Sequence, residues 1–156
     1  MTVSNTLERF LEANNADYRI VRHGHAESAN RAAHAAHVPG DQLAKAVLIV
    51  DDGAYRLAIV PATRRLHLGR LHQLLGEHVG LATEAEVAGA FPDCSRGAIP
   101  ALGPAFGLDS LVDESLLQQE TVYLEGGDHE SLVQITGSDF LSLLGEPRRG
   151  DFSTHV

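Results

Sequence analysis

Cysteine is nearly absent from this sequence of 156 residues, and its scarcity excludes several kinds of site. Cys94 is the only cysteine, so the chain forms no intramolecular disulfide and no metal site built on paired cysteines. A single cysteine is typical of a reducing compartment. We do not expect Cys94 to be a nucleophile, because no histidine lies near it in the sequence to serve as its base.

Long apolar runs are also missing. No run approaches the ~20 residues that a membrane helix needs, and the N-terminus has neither the basic start nor the apolar segment of a secretory signal. The composition, with 44% hydrophobic and 21% charged residues, is that of an ordinary folded domain. We therefore expect one domain in the cytoplasm, with no membrane partner.

Positive charge is scarce, and the net charge of the chain is −9. This balance argues against a protein that wraps nucleic acid, since affinity for a phosphate backbone comes mostly from clustered lysine and arginine. One basic cluster remains, formed by Arg64, Arg65, His67, Arg70 and His72. Such a cluster can hold the end of a nucleic acid, although a solvated helix entry is its commoner meaning.

Apolar periodicity and turn residues predict two hairpins among several helices. The first hairpin pairs 46–50 with 55–60 around Asp51-Asp52-Gly53, and the second pairs 121–125 with 131–136 around a Gly-Gly turn. Shorter strands are predicted over 18–22 and 111–113. The predicted helices are a short opening helix that carries Leu7, Phe10 and Leu11, an alanine-rich helix over 27–37, a leucine-rich helix from Leu66 to Leu75, a capped helix over 84–91 and a last helix over 139–144 capped by Ser138.

Hairpins separated by helices indicate an α+β domain on a mixed, mainly antiparallel sheet. Regular β-α-β alternation is absent, and no GxGxxG follows the first strand, which weakens a dinucleotide-binding interpretation. The segment 92–107 is rich in glycine and proline and is predicted to be a functional loop. The residues after Gly145 show no periodicity, so we expect a frayed tail.

Metal and nucleophile motifs are weak in this sequence. His23 and His25 alternate, and His34 and His37 share a face of a predicted helix. HExxH is absent, acidic ligands at matching spacing are missing, and no G-x-S-x-G occurs. We interpret these histidines as surface residues and expect no metal or other cofactor.

Three features remain: Lys45 at the mouth of the first hairpin, the loop that carries Gly97 and Gly103, and the Gly-Gly turn that ends in His129. Taken singly, each has an ordinary structural explanation. A lysine at a strand end commonly reaches solvent over its alkyl stem. Glycines allow the backbone to approach a ligand closely, but they also occur in purely structural loops.

The order of these features along the chain favours a functional explanation over the structural ones. AKAVLIVDDG (44–53), the arginine and leucine segment, RGAIPALG (96–103) and VYLEGGDHESLVQI (122–135) resemble, in sequence, the YbaK and prolyl-tRNA synthetase-associated domain family over roughly 17–144. The resemblance implies a compact α+β fold with a barrel-like sheet surrounded by helices. It also implies an aminoacyl-tRNA deacylase. On this basis 1–144 is expected to be one editing domain and 145–156 a flexible tail.

The resemblance also implies roles for individual residues. Lys45 looks like the family's essential lysine, which fixes the tRNA 3′ end or the aminoacyl ester. Gly97 and Gly103 look like the glycine loop whose backbone positions the attacking water, and His129 looks like a pocket histidine. The remaining residues implied in substrate binding are Ile99, Pro100 and Ala101 in the loop and Arg64 and Arg65 in the basic cluster.

The expected function is that of a free-standing deacylase that hydrolyses the ester of mischarged tRNA. An aminoacyl ester is already reactive, so a positioned water and a polarised carbonyl supply much of the acceleration without a serine or cysteine nucleophile. A non-catalytic binding module of the same fold, for an aminoacyl-nucleotide-like ligand or a protein partner, remains an alternative, and a metal-dependent hydrolase is a third. The amino acid, the tRNA, a bound synthetase and the oligomeric state stay open.

Overall fold

The computed structural model describes residues 2–156, which form five α-helices and ten β-strands. The helices are α1 (Asn5–Ala13), α2 (Ala29–Ala35), α3 (Leu68–Leu75), α4 (Glu84–Ala90) and α5 (Gly137–Leu144). The strands are β1 (Arg19–Arg22), β2 (Leu43–Asp51), β3 (Ala54–Pro61), β4 (Arg64–Leu66), β5 (Gly80–Leu81), β6 (Asp109–Asp113), β7 (Thr121–Glu125), β8 (Ser131–Thr136), β9 (Arg148–Gly150) and β10 (Ser153–His155). Short 3₁₀ helices cover Gly40–Gln42, Gly103–Phe106 and Glu114–Leu116. No helix within 2–156 has the length and apolar character to cross a membrane.

Eight strands form one mixed sheet in the order β1-β8-β7-β2-β3-β6-β9, with β5 also paired to β2. The β2–β3 and β7–β8 hairpins are antiparallel and lie side by side through a parallel pairing of β2 with β7. The β3–β6 and β6–β9 pairs are also parallel. A separate antiparallel pair joins β4 to β10. The α+β class with a mixed sheet, predicted from the hairpins, is confirmed.

Local sequence signals explain the elements that were predicted well. Ser4 caps α1 by accepting from the Leu7 amide, and Leu7 and Leu11 are fully buried against the sheet. Thr83 and Glu86 form the predicted capping box at the start of α4. Both hairpins occur where apolar alternation and turn residues place them.

The segment around the basic cluster differs from its prediction. Leu66 was expected in a helix, but 64–66 form β4 and the helix begins at Leu68. A three-residue strand has too short a pattern to be distinguished from a helix entry, and only its pairing with β10 defines it. The last helix starts earlier than predicted, and its cap is Thr136 rather than Ser138.

The frayed tail expected after Gly145 is not what the structure contains. Residues 148–150 pair with β6 and residues 153–155 pair with β4. Phe152, between them, is fully buried in a cluster that includes Ile49, Leu71 and Leu111. The segment lacks periodicity because its two strands have three residues each and one aromatic side chain anchors them.

Candidate active site

A cavity of about 750 Å³ opens beside β2. Its walls come from β2, from α4 and the loop after it, from residues just before and at the start of α2, and from the end of β7. Most of the lining side chains are apolar, namely Ala29, Ala46, Val47, Leu48, Leu81, Ala82, Ala85, Val87, Ala88, Phe91 and Ile99. The polar and charged groups at the cavity come from Glu27, Ser28, Lys45, Glu84, Cys94, Ser95, Arg96 and Glu125.

Lys45 lies at this cavity as the third residue of β2 and is the one lysine of the chain. It pairs across the hairpin with Val60, so its backbone is held in the sheet. The half-buried ammonium donates to the carbonyl oxygen of Arg64 at 2.7 Å. Burial, and then the nearby charge of Arg65, lower the pKa of Lys45 below its ordinary value. Within residues 2–156, the cavity therefore carries a cation with one hydrogen-bond partner.

The two arginines of the basic cluster approach Lys45 in different ways, and neither lines the cavity. Arg64 offers its carbonyl oxygen to Lys45, while its guanidinium donates to the Ser153 hydroxyl at 2.6 Å and to the Ser153 carbonyl at 2.8 Å. Arg65 is exposed on β4. Within residues 2–156, the Arg64 guanidinium is therefore already hydrogen-bonded, whereas the exposed guanidinium of Arg65 is free to contact a phosphate outside the cavity.

Gly97 and Ile99 line the cavity from the loop after α4. Gly97 has a φ of 81°, in the region where glycine is favoured. A β-carbon at Gly97 would lie 3.5 Å from the Glu27 carbonyl oxygen and 3.5 Å from the His129 ring. The loop backbone therefore passes close to a second wall of the cavity at this glycine.

The structure does not bring Gly103, Pro100 or Ala101 to the cavity. All three are buried, and Ala101 packs in the main core. The Gly103 amide donates to the Ser110 hydroxyl at 3.2 Å at the start of a 3₁₀ helix. The loop turns inward after Ile99, so the second half of RGAIPALG serves packing where the sequence interpretation placed pocket residues.

Gly103→Ala is expected to lower the stability of the protein and leave its chemistry unchanged. A β-carbon there would meet Ser110 Oγ at 2.3 Å and the Leu108 carbonyl oxygen at 2.7 Å. Overpacking of this kind costs about 1–3 kcal/mol, which chemical denaturation measures. The matched control is Gly89→Ala in α4, where no atom lies within 4 Å and the helix gains up to about 1 kcal/mol. Equal stability of the two variants would contradict the packing role.

His129 lies behind the cavity wall rather than in it. Its ring is buried, and its two nitrogens face the carbonyl oxygens of Ala26 at 2.9 Å and Arg96 at 2.5 Å. The Glu27 carboxylate lies 3.8 Å from Nε2. Because Glu27 and Arg96 both line the cavity, His129 connects two of its walls. His129 itself is not among the residues that line the open space.

Glu125 is a cavity residue that the sequence interpretation missed. It is the last residue of β7, only 2% of its surface is exposed, and within residues 2–156 neither carboxyl oxygen has a hydrogen-bond partner. Burial, with a smaller contribution from Asp128, raises the pKa of Glu125 to about 7. Alternation along β7 places Glu125 on the face opposite Leu124, and only the tertiary structure encloses that position.

Cys94 lines the cavity, but its chemistry does not suit a nucleophile. Burial raises the pKa of its thiol to about 12, so the reactive thiolate is scarce at neutral pH. Within residues 2–156, one group of side chains has the spacing to hold a metal ion, formed by Asp51, Asp52 and His78 at the far end of the first hairpin. Its residues are absent from the cavity lining.

The comparison with known families decides the classification of the chain. The aminoacyl-tRNA editing domain matches residues 23–143, which is well over half of the sequence. The chain belongs to this family. The resemblance inferred from the order of the motifs is therefore confirmed, and the matched range contains every residue that lines the cavity. No curated protein sequence matches the chain.

Solved structures of similar fold cover nearly the whole editing-domain chain. A candidate trans-editing enzyme for prolyl tRNA synthetase is 26% identical with a TM-score of 0.82, over 96% of this chain and 95% of that one. A hypothetical protein, APE2540, is 23% identical with a TM-score of 0.82, over 96% and 100% of the two chains. A scaffold used for grafting linear epitopes is 24% identical with the same TM-score, over 99% and 100%. The last two likenesses concern the fold.

Proposed function

We propose that the protein is a free-standing aminoacyl-tRNA deacylase that hydrolyses the ester of mischarged tRNA in the cytoplasm. The observation that carries the proposal is the cavity beside β2, in which Lys45 stands at the edge of a largely apolar pocket within an editing-domain fold. The candidate trans-editing enzyme of similar structure supports the same activity. That enzyme is described as acting for prolyl tRNA synthetase, so we propose that an aminoacyl-tRNA synthetase produces the mischarged substrate of this protein as well.

Lys45 is proposed to anchor the substrate. Its ammonium is half-buried and has one hydrogen-bond partner among the described residues, so it retains donors for an ester carbonyl or a phosphate oxygen of the terminal nucleotide. A compact cation suits such oxygens as a point charge. Arg65, exposed on the neighbouring β4, adds positive charge for the tRNA backbone outside the pocket.

The loop backbone at Gly97 is proposed to position the attacking water, with His129 holding that backbone against the segment 26–27. The aminoacyl ester needs no covalent nucleophile, because a water held in line with a polarised carbonyl already removes much of the barrier. The apolar wall formed by α4 and β2 receives the amino acid side chain. Selection then depends on the size of that pocket, as in an editing sieve.

A panel of mischarged tRNAs tests the proposal. The wild-type protein should deacylate at least one mischarged member faster than the spontaneous rate, and it should spare the correctly charged tRNAs. The same rate in the presence of a chelator would remove the metal-dependent alternative. If no member of the panel is turned over, the deacylase proposal fails and the binding-module alternative gains.

The non-catalytic binding module keeps one specific observation in its favour. The guanidinium of Arg64 is hydrogen-bonded to Ser153, so it adds little to a basic surface for tRNA on a chain of net charge −9. A nucleotide-like ligand that raises the melting temperature without being hydrolysed would support this alternative.

A further inference from the structure

Glu125 lines the cavity and carries a buried carboxyl group without a hydrogen-bond partner within residues 2–156. Its two oxygens are buried and unpaired within residues 2–156, and the residue lines the pocket. Buried polar groups in folded proteins are almost always hydrogen-bonded, because an unpaired one forfeits its hydration. An unpaired carboxyl group at the wall of a cavity therefore indicates a ligand group that completes it.

The other charged groups at the cavity and beside Glu125 make their contacts with other atoms. Asp128 accepts from the Glu130 amide and the Ser131 hydroxyl. Arg96 pairs with Glu84, and Lys45 donates to the Arg64 carbonyl. Glu27, the remaining carboxylate at the cavity, contacts His25 at 2.6 Å and is largely exposed. No cation of the described chain pairs with Glu125, so a cationic group of a ligand would find an unpaired carboxyl group there.

The strand pairing sets Glu125 beside Lys45. β2 and β7 run parallel with Ala44 opposite Leu124, so Lys45 and Glu125 are the next residues on two adjacent strands. Both line the same cavity. An acidic group, a basic group and an apolar wall are thus juxtaposed. An aminoacyl ester carries the complementary set on its α-carbon: an α-ammonium, an ester carbonyl and, in many amino acids, an apolar side chain.

We propose that Glu125 binds the α-ammonium group of the aminoacyl moiety, an assignment that rests on the proposed deacylase function. Lys45 and Glu125 then hold opposite ends of the same short unit, and the side chain is directed to the apolar wall. The carboxyl group is also suited to this role by its environment. Burial keeps its pKa near 7, and a bound ammonium favours the ionised form.

The test compares aminoacyl-tRNA with the same tRNA acetylated on the α-amine, using wild type and Glu125→Gln. With each rate divided by the spontaneous hydrolysis rate of that ester, wild type should prefer the free amine by at least about 30-fold in kcat/KM, since removing one partner of a buried charged pair has a large effect. Glu125→Gln should abolish this corrected preference by lowering the rate on the free amine. Glu120→Gln, at an exposed residue just before β7, is the control and should keep the preference.

Two results would overturn the assignment while leaving the deacylase proposal intact. One is a wild-type enzyme that does not discriminate between free and acetylated amines. The other is a Glu125→Gln variant that loses rate equally on both substrates, which indicates acid-base or structural work.

A second measurement separates failure of the inference from failure of the deacylase proposal. Binding of an adenosine carrying a 3′-aminoacylamide, with the α-amine free or acetylated, is followed by calorimetry. If wild type hydrolyses no tRNA, a free-amine preference that Glu125→Gln abolishes still supports the α-ammonium site. Equal binding of both analogues by wild type overturns it.

Discussion

Lys45→Ala is expected to lower kcat/KM for a mischarged tRNA by about 100-fold or more, because it removes the cation proposed to hold the reacting end of the substrate. The loss of one preorganised donor at an ester carbonyl has this size in other acyl-transfer sites. The fold should survive. Within residues 2–156 the ammonium makes one hydrogen bond, to the Arg64 carbonyl, so its removal lowers the free energy of unfolding by no more than about 3 kcal/mol. Single-turnover deacylation and denaturant unfolding measure the two effects.

The matched control removes one positive charge elsewhere. Arg149→Ala, at an exposed position of β9 outside the cavity lining, lowers the net charge by the same amount and should leave deacylation unchanged. If both variants lose activity to a similar extent, overall charge and not the position of Lys45 governs the rate. If Lys45→Ala deacylates like wild type, the assignment of Lys45 as the anchor is wrong.

The hairpins that support Lys45 were predictable because their signals are local. Apolar alternation and the Asp-Asp-Gly turn define β2 and β3 within about twenty residues of chain, and the second hairpin has the same kind of signal. The parallel pairing of β2 with β7 has no local signal, because the paired residues Leu43 and Tyr123 are far apart in the sequence. The sequence therefore predicts the support of Lys45 but not its neighbour Glu125.

Whether a residue assigned by resemblance lies at the cavity depends on what its motif encodes. The order of the motifs carries the family, and Lys45, Gly97 and Ile99 do line one cavity. A short loop motif does not encode where the chain turns inward, and Gly103 consequently lies in packed surroundings. The Gly-Gly turn before His129 likewise does not predict that two backbone carbonyl oxygens contact the ring nitrogens.

The C-terminal residues belong to the same support. The Ser153 hydroxyl accepts a hydrogen bond from the Arg64 guanidinium, and β10 pairs with β4. The Arg64 carbonyl in turn accepts a hydrogen bond from the Lys45 ammonium. A continuous set of contacts thus runs from the end of the chain to the edge of the cavity. Its anchor is Phe152, whose amide donates to Asp113 at 3.0 Å and whose carbonyl accepts from the His67 amide at 2.7 Å.

Phe152→Ala is expected to lower the free energy of unfolding by about 3–5 kcal/mol, because it empties a fully buried aromatic site. Val156→Ala, at an exposed position of the same segment, should change it by less than about 0.5 kcal/mol. Denaturant unfolding compares the two variants. Phe152→Ala should also loosen β10 from β4 and raise amide exchange at both strands. A variant as stable as wild type would show that the Phe152 side chain does not anchor the last residues of the chain.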